Sequence, residues 1–221
     1  MRSGDLLWLL ALGAIVALLA FPPTHRAFVE ITAAHPFLIG FAKFLVLATM
    51  GELLALRIVR GRWSAPAGLG YRAVVWGLIG MAIVLVFDVF ASGIAAAMAK
   101  SLLPGGNSKL AFAFFVSVAM NATFAPAMML FHRATDTFIE LACEQRRVRP
   151  GVADVVAAID WQGFVSFVLL KTIPCFWVPA HTVTFLLPPE YRVLAAAMLS
   201  IALGAILAFA RRRVLPVRGS V

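Results

Sequence analysis

Six long apolar stretches, separated by polar connections, dominate the pattern of this 221-residue chain. A helix needs about 17–25 residues to cross the hydrocarbon core of a bilayer. Five of the stretches reach this length, and the first, at roughly 16 residues, is slightly short. The stretches cover residues 6–21, 37–56, 74–98, 110–131, 164–187 and 193–210. The pattern predicts an all-α, polytopic membrane helix bundle with six transmembrane helices, in a single membrane domain that covers residues 1–221.

The first stretch has a second interpretation, because an apolar run close to a start methionine is also typical of a cleaved signal peptide. Only Arg2 precedes this run, so the basic region of a signal peptide would be short. The run ends at Phe21-Pro22-Pro23, which is not the small-residue site that signal peptidases cleave. We therefore expect a helix that stays in the protein.

Composition and charge agree with a membrane protein and exclude other classes. Apolar residues make up 62% of the chain and charged residues 13%, whereas soluble domains average about 45–50% and 25%. The net charge is +9, but most basic residues lie between the apolar stretches or at their ends, so we expect no nucleic-acid partner. Six spans place 13 cations on one side of the membrane and 4 on the other. The positive-inside rule then predicts that both termini are cytoplasmic.

The one long polar connection covers residues 132–161 and is predicted to be cytoplasmic. Residues 133–149 have acidic side chains early and arginines late, which suits the end of the fourth helix in water or at the membrane interface. Cys143 and Cys175 form no CxxC pair, and the four histidines lack metal-ligand spacing. We therefore expect no disulfide, no metal and no cofactor.

Four charged residues lie inside the predicted spans, where a charge is costly and marks a functional or structural feature. They are Lys43, Glu52, Asp88 and Lys171. Depths estimated from a rise of about 1.5 Å per residue predict that Glu52 lies near Lys171 and that Asp88 lies near Lys43. Lys43 and Glu52 are half a turn out of phase and should face different neighbours. Structural ion pairs and a polar path for solutes both explain these residues.

Asn121 and His181 join this set. An amide at the mid-depth of a span needs a partner on another helix. Prolines inside spans free backbone carbonyls, and such breaks are tolerated beside protein or a watery cavity. Pro126, Pro174 and Pro179 are therefore predicted helix breaks, with a plain kink as the alternative. We call the predicted path the polar seam, and its residues are Glu52, Asp88, Asn121, Lys171, Lys43 and His181.

Small residues recur every fourth position in the last stretch, at Ala196, Ser200, Gly204 and Ala208. Such ladders allow helix backbones to approach closely. The ladder therefore predicts a packing surface, either within one subunit or between the subunits of a homo-oligomer.

Several short motifs resemble a known family in their order along the chain. They are His35-Pro36, Gly51-Glu52, Phe87-Asp88, Phe124-Ala125-Pro126, Trp177 and the run from Pro188 to Tyr191-Arg192. This order is similar to the twenty-two-kilodalton peroxisomal membrane protein family, which includes the Mpv-seventeen proteins of the mitochondrial inner membrane. Gly51, Trp177, Pro188, Tyr191 and Arg192 are the positions that match family motifs. Glu52 replaces the family's Asp, and Leu56 stands where the family has Gln.

The resemblance spans residues 35–210 and implies pore-like movement of small solutes across a membrane. The divergence is that of a bacterial member, and the N-terminus lacks an Arg/Ser-rich presequence, so we expect the bacterial cytoplasmic membrane. The predicted function is a channel or transporter-like protein that passes an unknown small solute through the polar seam within the lipid bilayer. A non-transporting structural or regulatory membrane protein is the first alternative. An intramembrane enzyme is the second, disfavoured because no catalytic constellation is visible.

Overall fold

The computed structural model describes residues 3–143 and 149–214, without the side chains of Leu207 and residues 210–214. Several cations of the predicted charge bias, Arg2, Arg146, Arg147 and Arg218, lie outside the described residues. The described part of the chain is helical throughout, with connections and no strand. Its helices are α1 Ser3–Ala20, α2 Pro22–Ala34, α3 Pro36–Arg60, α4 Leu69–Ala99, α5 Lys109–Cys143, α6 Val152–Ala158, α7 Trp161–Leu186 and α8 Pro189–Val214.

Six of these helices are long and apolar enough to cross a membrane: α1, α3, α4, α5, α7 and the Pro189–Ile206 part of α8. Their outward surfaces carry many exposed large apolar side chains, among them Leu78, Leu85 and Phe114. Such a surface is suited to lipid rather than to water. The predicted all-α bundle of six transmembrane helices is confirmed, and the protein is a multi-pass membrane protein.

Helix α2 was not predicted, because Pro22-Pro23 looked like the end of a helix and not a beginning. The two prolines occupy the first positions of α2, where their missing N–H groups and fixed φ cost nothing. The helix has no fully buried residue. Phe28, Val29 and Thr32 are half-buried, while Arg26 and Glu30 are exposed. Helix α2 therefore lies along the bundle as an amphipathic cover.

Two helices extend beyond the predicted stretches into residues that the sequence pattern assigned to connections. Helix α4 begins at Leu69, so Arg72 is part of its first turn. Helix α5 continues to Cys143, and the short α6 folds back so that Val155 packs near Leu141. The predicted connector 132–161 therefore starts with two further turns of α5 and contains α6.

Helix α3 is central, with α4 on one side and α8 on the other. Glycines permit both close approaches. A Cβ atom added at Gly80 of α4 would clash with the carbonyl oxygen of Gly40, and one added at Gly204 of α8 would lie 3.1 Å from the carbonyl oxygen of Gly51. Larger residues would separate the backbones and the side chains that they bring together.

The ladder of small residues on α8 is used within the subunit. Ala196 and Ala208 are only 2% and 3% exposed. Gly204 faces Gly51, and a Cβ at Gly51 would meet the backbone of Ser200 at 3.1 Å. The intrasubunit alternative therefore describes this ladder, and packing against α3 occupies the surface that a second subunit would need.

The predicted helix breaks are wrong, because the chain stays helical through each proline. Helix α5 is continuous at Pro126. Helix α7 is π-helical over Phe164–Trp177, which includes Pro174, and becomes α-helical from Val178. A π-helical turn moves each acceptor carbonyl by one residue and can absorb a proline without ending the helix. Pro179 lies in the first turn of the α-helical part, where proline is tolerated.

Helix α1 is attached by polar side chains near its start and by Trp8, Leu12 and Ile15, which pack against the core. Asp5 accepts hydrogen bonds from Arg57 Nε at 2.9 Å and from Trp63 Nε1 at 2.8 Å. Trp8 Nε1 donates to the carbonyl of Met50 at 3.1 Å. These contacts hold the beginning of α1 to the end of α3, while much of the rest of α1 is exposed.

Candidate functional site: two cavities in the bundle

Two cavities lie inside the bundle, and together they contain most of the predicted polar seam. Cavity 1 has a volume of about 340 Å³ and is formed by α3, α4, α5, α7 and α8. Cavity 2 has a volume of about 720 Å³ and is formed by α2, α3, α4 and α8. The residues that line cavity 1 include Glu52, Trp76, Asn121, His132, Asp136, Trp177 and His181. Those that line cavity 2 include Lys43, Phe87, Asp88, Glu190 and Arg192.

The six predicted seam residues divide between these cavities. Glu52, Asn121 and His181 line cavity 1, whereas Lys43 and Asp88 line cavity 2. The half-turn offset between Lys43 and Glu52 explains why these two side chains of α3 face different cavities. Lys171 has an exposed side chain and lines neither cavity.

A buried charge cluster centred on Arg72 borders cavity 1, which its partners Glu52 and Asp136 line. Arg72 Nη1 lies 3.4 Å from Glu52 Oε1 and 3.0 Å from Asp136 Oδ1. Arg72 is only 8% exposed, so both ion pairs are largely shielded from solvent. The predicted pairing of Glu52 with Lys171 is wrong, because the early start of α4 brings a closer cation to Glu52.

His132 and Trp76 extend this cluster along the wall of cavity 1. His132 Nδ1 lies 3.7 Å from Asp136 Oδ2, one turn away on α5. The His132 ring also packs on Trp76 with 4.1 Å between centroids. Three helices, α3, α4 and α5, therefore contribute to one polar wall.

Several polar atoms of this wall lack a hydrogen-bond partner among the described residues. They are Glu52 Oε2, Trp76 Nε1, His132 Nε2 and Trp177 Nε1, and all four residues line cavity 1. Buried polar groups are normally paired. The wall of cavity 1 therefore offers both donors and an acceptor to a small polar molecule.

Asn121 is fully buried and has the interhelical partner that its depth required. Its Nδ2 donates to the carbonyl of Ser117 at 2.8 Å and lies 3.1 Å from His181 Nδ1. When Nδ1 accepts this bond, the imidazole carries its proton on Nε2. His181 stacks on Trp177 with 5.1 Å between centroids. The Asn121–His181 contact therefore joins α5 to α7 beside cavity 1.

Three buried rings, Phe87, His181 and Phe185, connect the lining of the two cavities, and we call them the aromatic layer. The Phe87 ring lines cavity 2, and its centroid lies 5.8 Å from that of His181, which lines cavity 1. Phe185 packs on Phe87 at 4.8 Å. All three side chains are buried. At the Phe87–His181 contact, a side chain that lines cavity 2 therefore touches one that lines cavity 1.

Cavity 2 carries charged groups that do not pair with one another. Lys43 is 7% exposed, and its Nζ donates to Thr32 Oγ1 at 3.3 Å and lies 4.5 Å from the centre of the Phe28 ring. Asp88 lines the same cavity, but it forms no ion pair with any described residue. The two residues therefore share a cavity, in agreement with the predicted proximity of Asp88 to Lys43, but they form no ion pair.

The positions that match family motifs have packing roles in this structure. Gly51 contacts α8, and Trp177 stacks on His181. The Tyr191 hydroxyl donates to His25 Nε2 at 2.8 Å, which ties α8 to α2. Arg192 Nε donates to the carbonyl of Leu187 at 3.0 Å.

Pro188 is exposed and precedes α8, where its carbonyl accepts from Tyr191 N at 3.1 Å. It therefore shapes the short turn between α7 and α8 and lines neither cavity.

Sequence reasoning missed four residues of the polar wall: Arg72, Trp76, His132 and Asp136. Arg72 and Trp76 are one helical turn apart, and so are His132 and Asp136. The two members of each pair therefore lie on the same face of their helix. This spacing was the available signal. The pattern places Arg72, His132 and Asp136 in connections and Trp76 near the start of the third stretch, so neither pair stands out as a buried polar face.

Comparison of the chain with protein-family models, curated proteins and solved structures finds no match. The family resemblance therefore stays a prediction based on the order of short motifs. Among the described residues, no group of three or more His, Cys, Asp or Glu side chains is placed to hold a metal ion.

Proposed function

We propose that the protein is a channel or transporter-like membrane protein that moves small solutes between cavity 1 and cavity 2. One observation carries this proposal: two cavities with charged and polar groups on largely apolar walls lie in the same bundle, and the Phe87 ring of one contacts the His181 ring of the other. In the described conformation the layer closes the path. Movement of Phe87 away from His181 would join the cavities.

The positions of the lining residues along the helices support a path across the membrane. Lys43 of cavity 2 and Glu52 of cavity 1 are nine residues apart on α3, which corresponds to about 13 Å along the helix axis. Helix α4 runs the opposite way, and there Trp76 belongs to cavity 1 and Asp88 to cavity 2. The cavities therefore lie at different depths of the same helices.

The orientation and the membrane are part of the same proposal. Arg57, Arg60 and Arg133 lie toward the end of the bundle that holds cavity 1. By the positive-inside rule, this end faces the cytoplasm. The motif order supports a bacterial member of the twenty-two-kilodalton peroxisomal membrane protein family in the cytoplasmic membrane, with the pore-like activity that this family implies.

Solute flux into liposomes tests the proposed function. The purified protein is reconstituted, and uptake of glycerol, erythritol, glycine and 4-aminobutyrate is compared with that of empty liposomes. Phe87→Ala should raise flux several-fold because it thins the aromatic layer. Phe114→Ala is the matched control, since Phe114 is 46% exposed on the outside of α5 and lines neither cavity. Folded wild type and folded Phe87→Ala that both give only background flux would refute the proposal.

A non-transporting structural protein is the second candidate, and the Arg72 cluster favours it. One buried guanidinium that bridges carboxylates on α3 and α5 is an arrangement that orients helices. This function predicts that Phe87→Ala lowers stability and leaves permeability unchanged. The same two variants therefore discriminate between the candidates.

A further inference from the structure

We propose that cavity 2 binds a zwitterionic ligand, whose ammonium group faces Asp88 and Glu190 and whose carboxylate or phosphate faces Lys43 and Arg192. Binding is inferred from cavity 2 alone. That this ligand is also the transported solute rests on the proposed function.

The first argument is the environment of Lys43. Lys43 lies in a membrane-spanning helix and is, as a whole residue, only 7% exposed. Its contacts are neutral, the Thr32 hydroxyl and the Phe28 ring, and no carboxylate of a described residue lies within 4.0 Å. An aromatic face compensates only part of the cost of a buried cation. An anionic group in cavity 2 would provide the missing counter-charge.

Arg192 provides a second positive group on the same cavity. Its Nε donates to the carbonyl of Leu187, and its guanidinium lies 5.4 Å from the centre of the Phe185 ring. It forms no ion pair with the described acidic side chains. A carboxylate or phosphate in cavity 2 would therefore have a guanidinium and an ammonium group available.

Two carboxylates on the same wall argue against a simple anion. Asp88 of α4 and Glu190 at the start of α8 both line cavity 2, and neither has a described cation within 4.0 Å, although Glu190 is close enough to Arg192 for electrostatic attraction. An anion alone would add to their negative charge. A ligand with a separate ammonium group complements both signs of the wall.

The size and position of cavity 2 suit two sources of this chemistry. A volume of about 720 Å³ holds a free amino acid with room to spare. The exposed apolar side chains of Phe37 and Leu85 at the cavity wall also suit the acyl chains beside a phospholipid headgroup. A free amino acid and the headgroup of phosphatidylethanolamine therefore both carry the required pair of charges.

Two binding measurements separate these sources. The detergent-purified protein is incubated with equal amounts of phosphatidylethanolamine, phosphatidylcholine and phosphatidylglycerol, and bound lipid is counted by native mass spectrometry. Glycine and 4-aminobutyrate are titrated in parallel by calorimetry, with acetate and ethylammonium as single-charge probes. We expect a zwitterionic lipid or a zwitterionic amino acid to bind at least tenfold more tightly than the single-charge probe of the same series.

Variants then assign the binding to cavity 2. Lys43→Met and Asp88→Asn should each weaken zwitterion binding at least tenfold, whereas Lys43→Arg should keep it because the charge is conserved. Lys100→Met and Glu30→Gln are the controls, since both residues are exposed and line neither cavity. Absence of binding, equal binding of phosphatidylglycerol or acetate, or loss of binding in the controls would overturn the inference. Flux without zwitterion binding would refute this inference alone, and binding without flux would refute only the proposed transport.

Discussion

The two cavities differ in whether their charged side chains form ion pairs. Beside cavity 1, Arg72 is shared by the lining residues Glu52 and Asp136, so these charges are held in contacts of 3.4 and 3.0 Å. In cavity 2, Lys43 and Asp88 line one space without forming an ion pair. The charges beside cavity 1 are therefore held in a fixed cluster, whereas in cavity 2 a buried Lys43 and an exposed Asp88 remain unpaired.

This difference indicates which charged residues stabilise the fold and which are available to bind a ligand. A paired buried charge is costly to disturb, because removal of one partner leaves the other desolvated. An unpaired buried charge makes the fold less stable and is therefore a site where a ligand is expected. Substitutions in the two cavities should consequently change stability by different amounts and in different directions.

The largest effect is expected for Arg72→Met. The substitution leaves Glu52 and Asp136 in cavity 1 without their shared cation, and we expect a loss of about 3–5 kcal/mol in the free energy of unfolding. Unfolding in mixed detergent micelles, followed by circular dichroism, measures this change. Arg62→Met is the control because Arg62 is exposed in the α3–α4 connection.

A rescue experiment checks the physical reason. Adding Glu52→Gln and Asp136→Asn to Arg72→Met removes the orphaned charges and should recover much of the lost stability. If the triple variant is no more stable than Arg72→Met, the loss does not come from unpaired carboxylates.

The next largest effect is expected for Gly80→Val, at the close approach of α3 and α4, because these two helices line both cavities. Gly80→Val would place a side chain against the Gly40 carbonyl and the Phe44 side chain, and we expect a loss of about 1–3 kcal/mol from overpacking. Gly93→Val on the same helix is the matched control, because a Cβ at Gly93 meets nothing within 4 Å. Equal destabilisation of the two variants would contradict this explanation, because helix propensity alone favours valine over glycine at both positions.

The sequence predicted the helices better than the cavities, because hydropathy and length are local properties. Each apolar stretch became a helix of the bundle. Helix α2 was missed because Pro22-Pro23 ends one helix and begins the next, and the pattern alone does not distinguish these roles. The π-helical form of α7 likewise depends on backbone hydrogen bonding that proline positions do not specify.

Only part of the site was predicted, and the reason is related. Glu52 and Lys43 were found because a charge inside an apolar run is conspicuous. Arg72 and Asp136 were missed because each lies beyond the apolar core of its helix, among polar residues. Their burial arises only when α3, α4 and α5 pack together, and a one-dimensional pattern does not contain that packing.

A smaller effect is expected at the contact that holds α2 over cavity 2. Tyr191→Phe removes the hydrogen bond to His25 and should cost about 0.5–1.5 kcal/mol. It should also loosen α2, which is measured as faster labelling of a cysteine introduced at Thr32. The control is the same cysteine in a protein with Tyr71→Phe, since Tyr71 is exposed and far from α2 in sequence. Unchanged labelling in Tyr191→Phe would show that this bond does not hold the cover in place.

The smallest effect, and the one that sharpens the comparison most, is expected for Lys43→Met. The substitution loses a cation–π contact and a hydrogen bond, together about 1–2 kcal/mol, but it also removes the cost of an unpaired buried charge. We therefore expect no net loss in the free energy of unfolding of the ligand-free protein, in contrast to Arg72→Met. Unfolding under the same detergent conditions measures both variants side by side. A loss of 3 kcal/mol or more, about that expected for Arg72→Met, would mean that Lys43 has a counter-charge in the folded protein and that the two cavities do not differ as described.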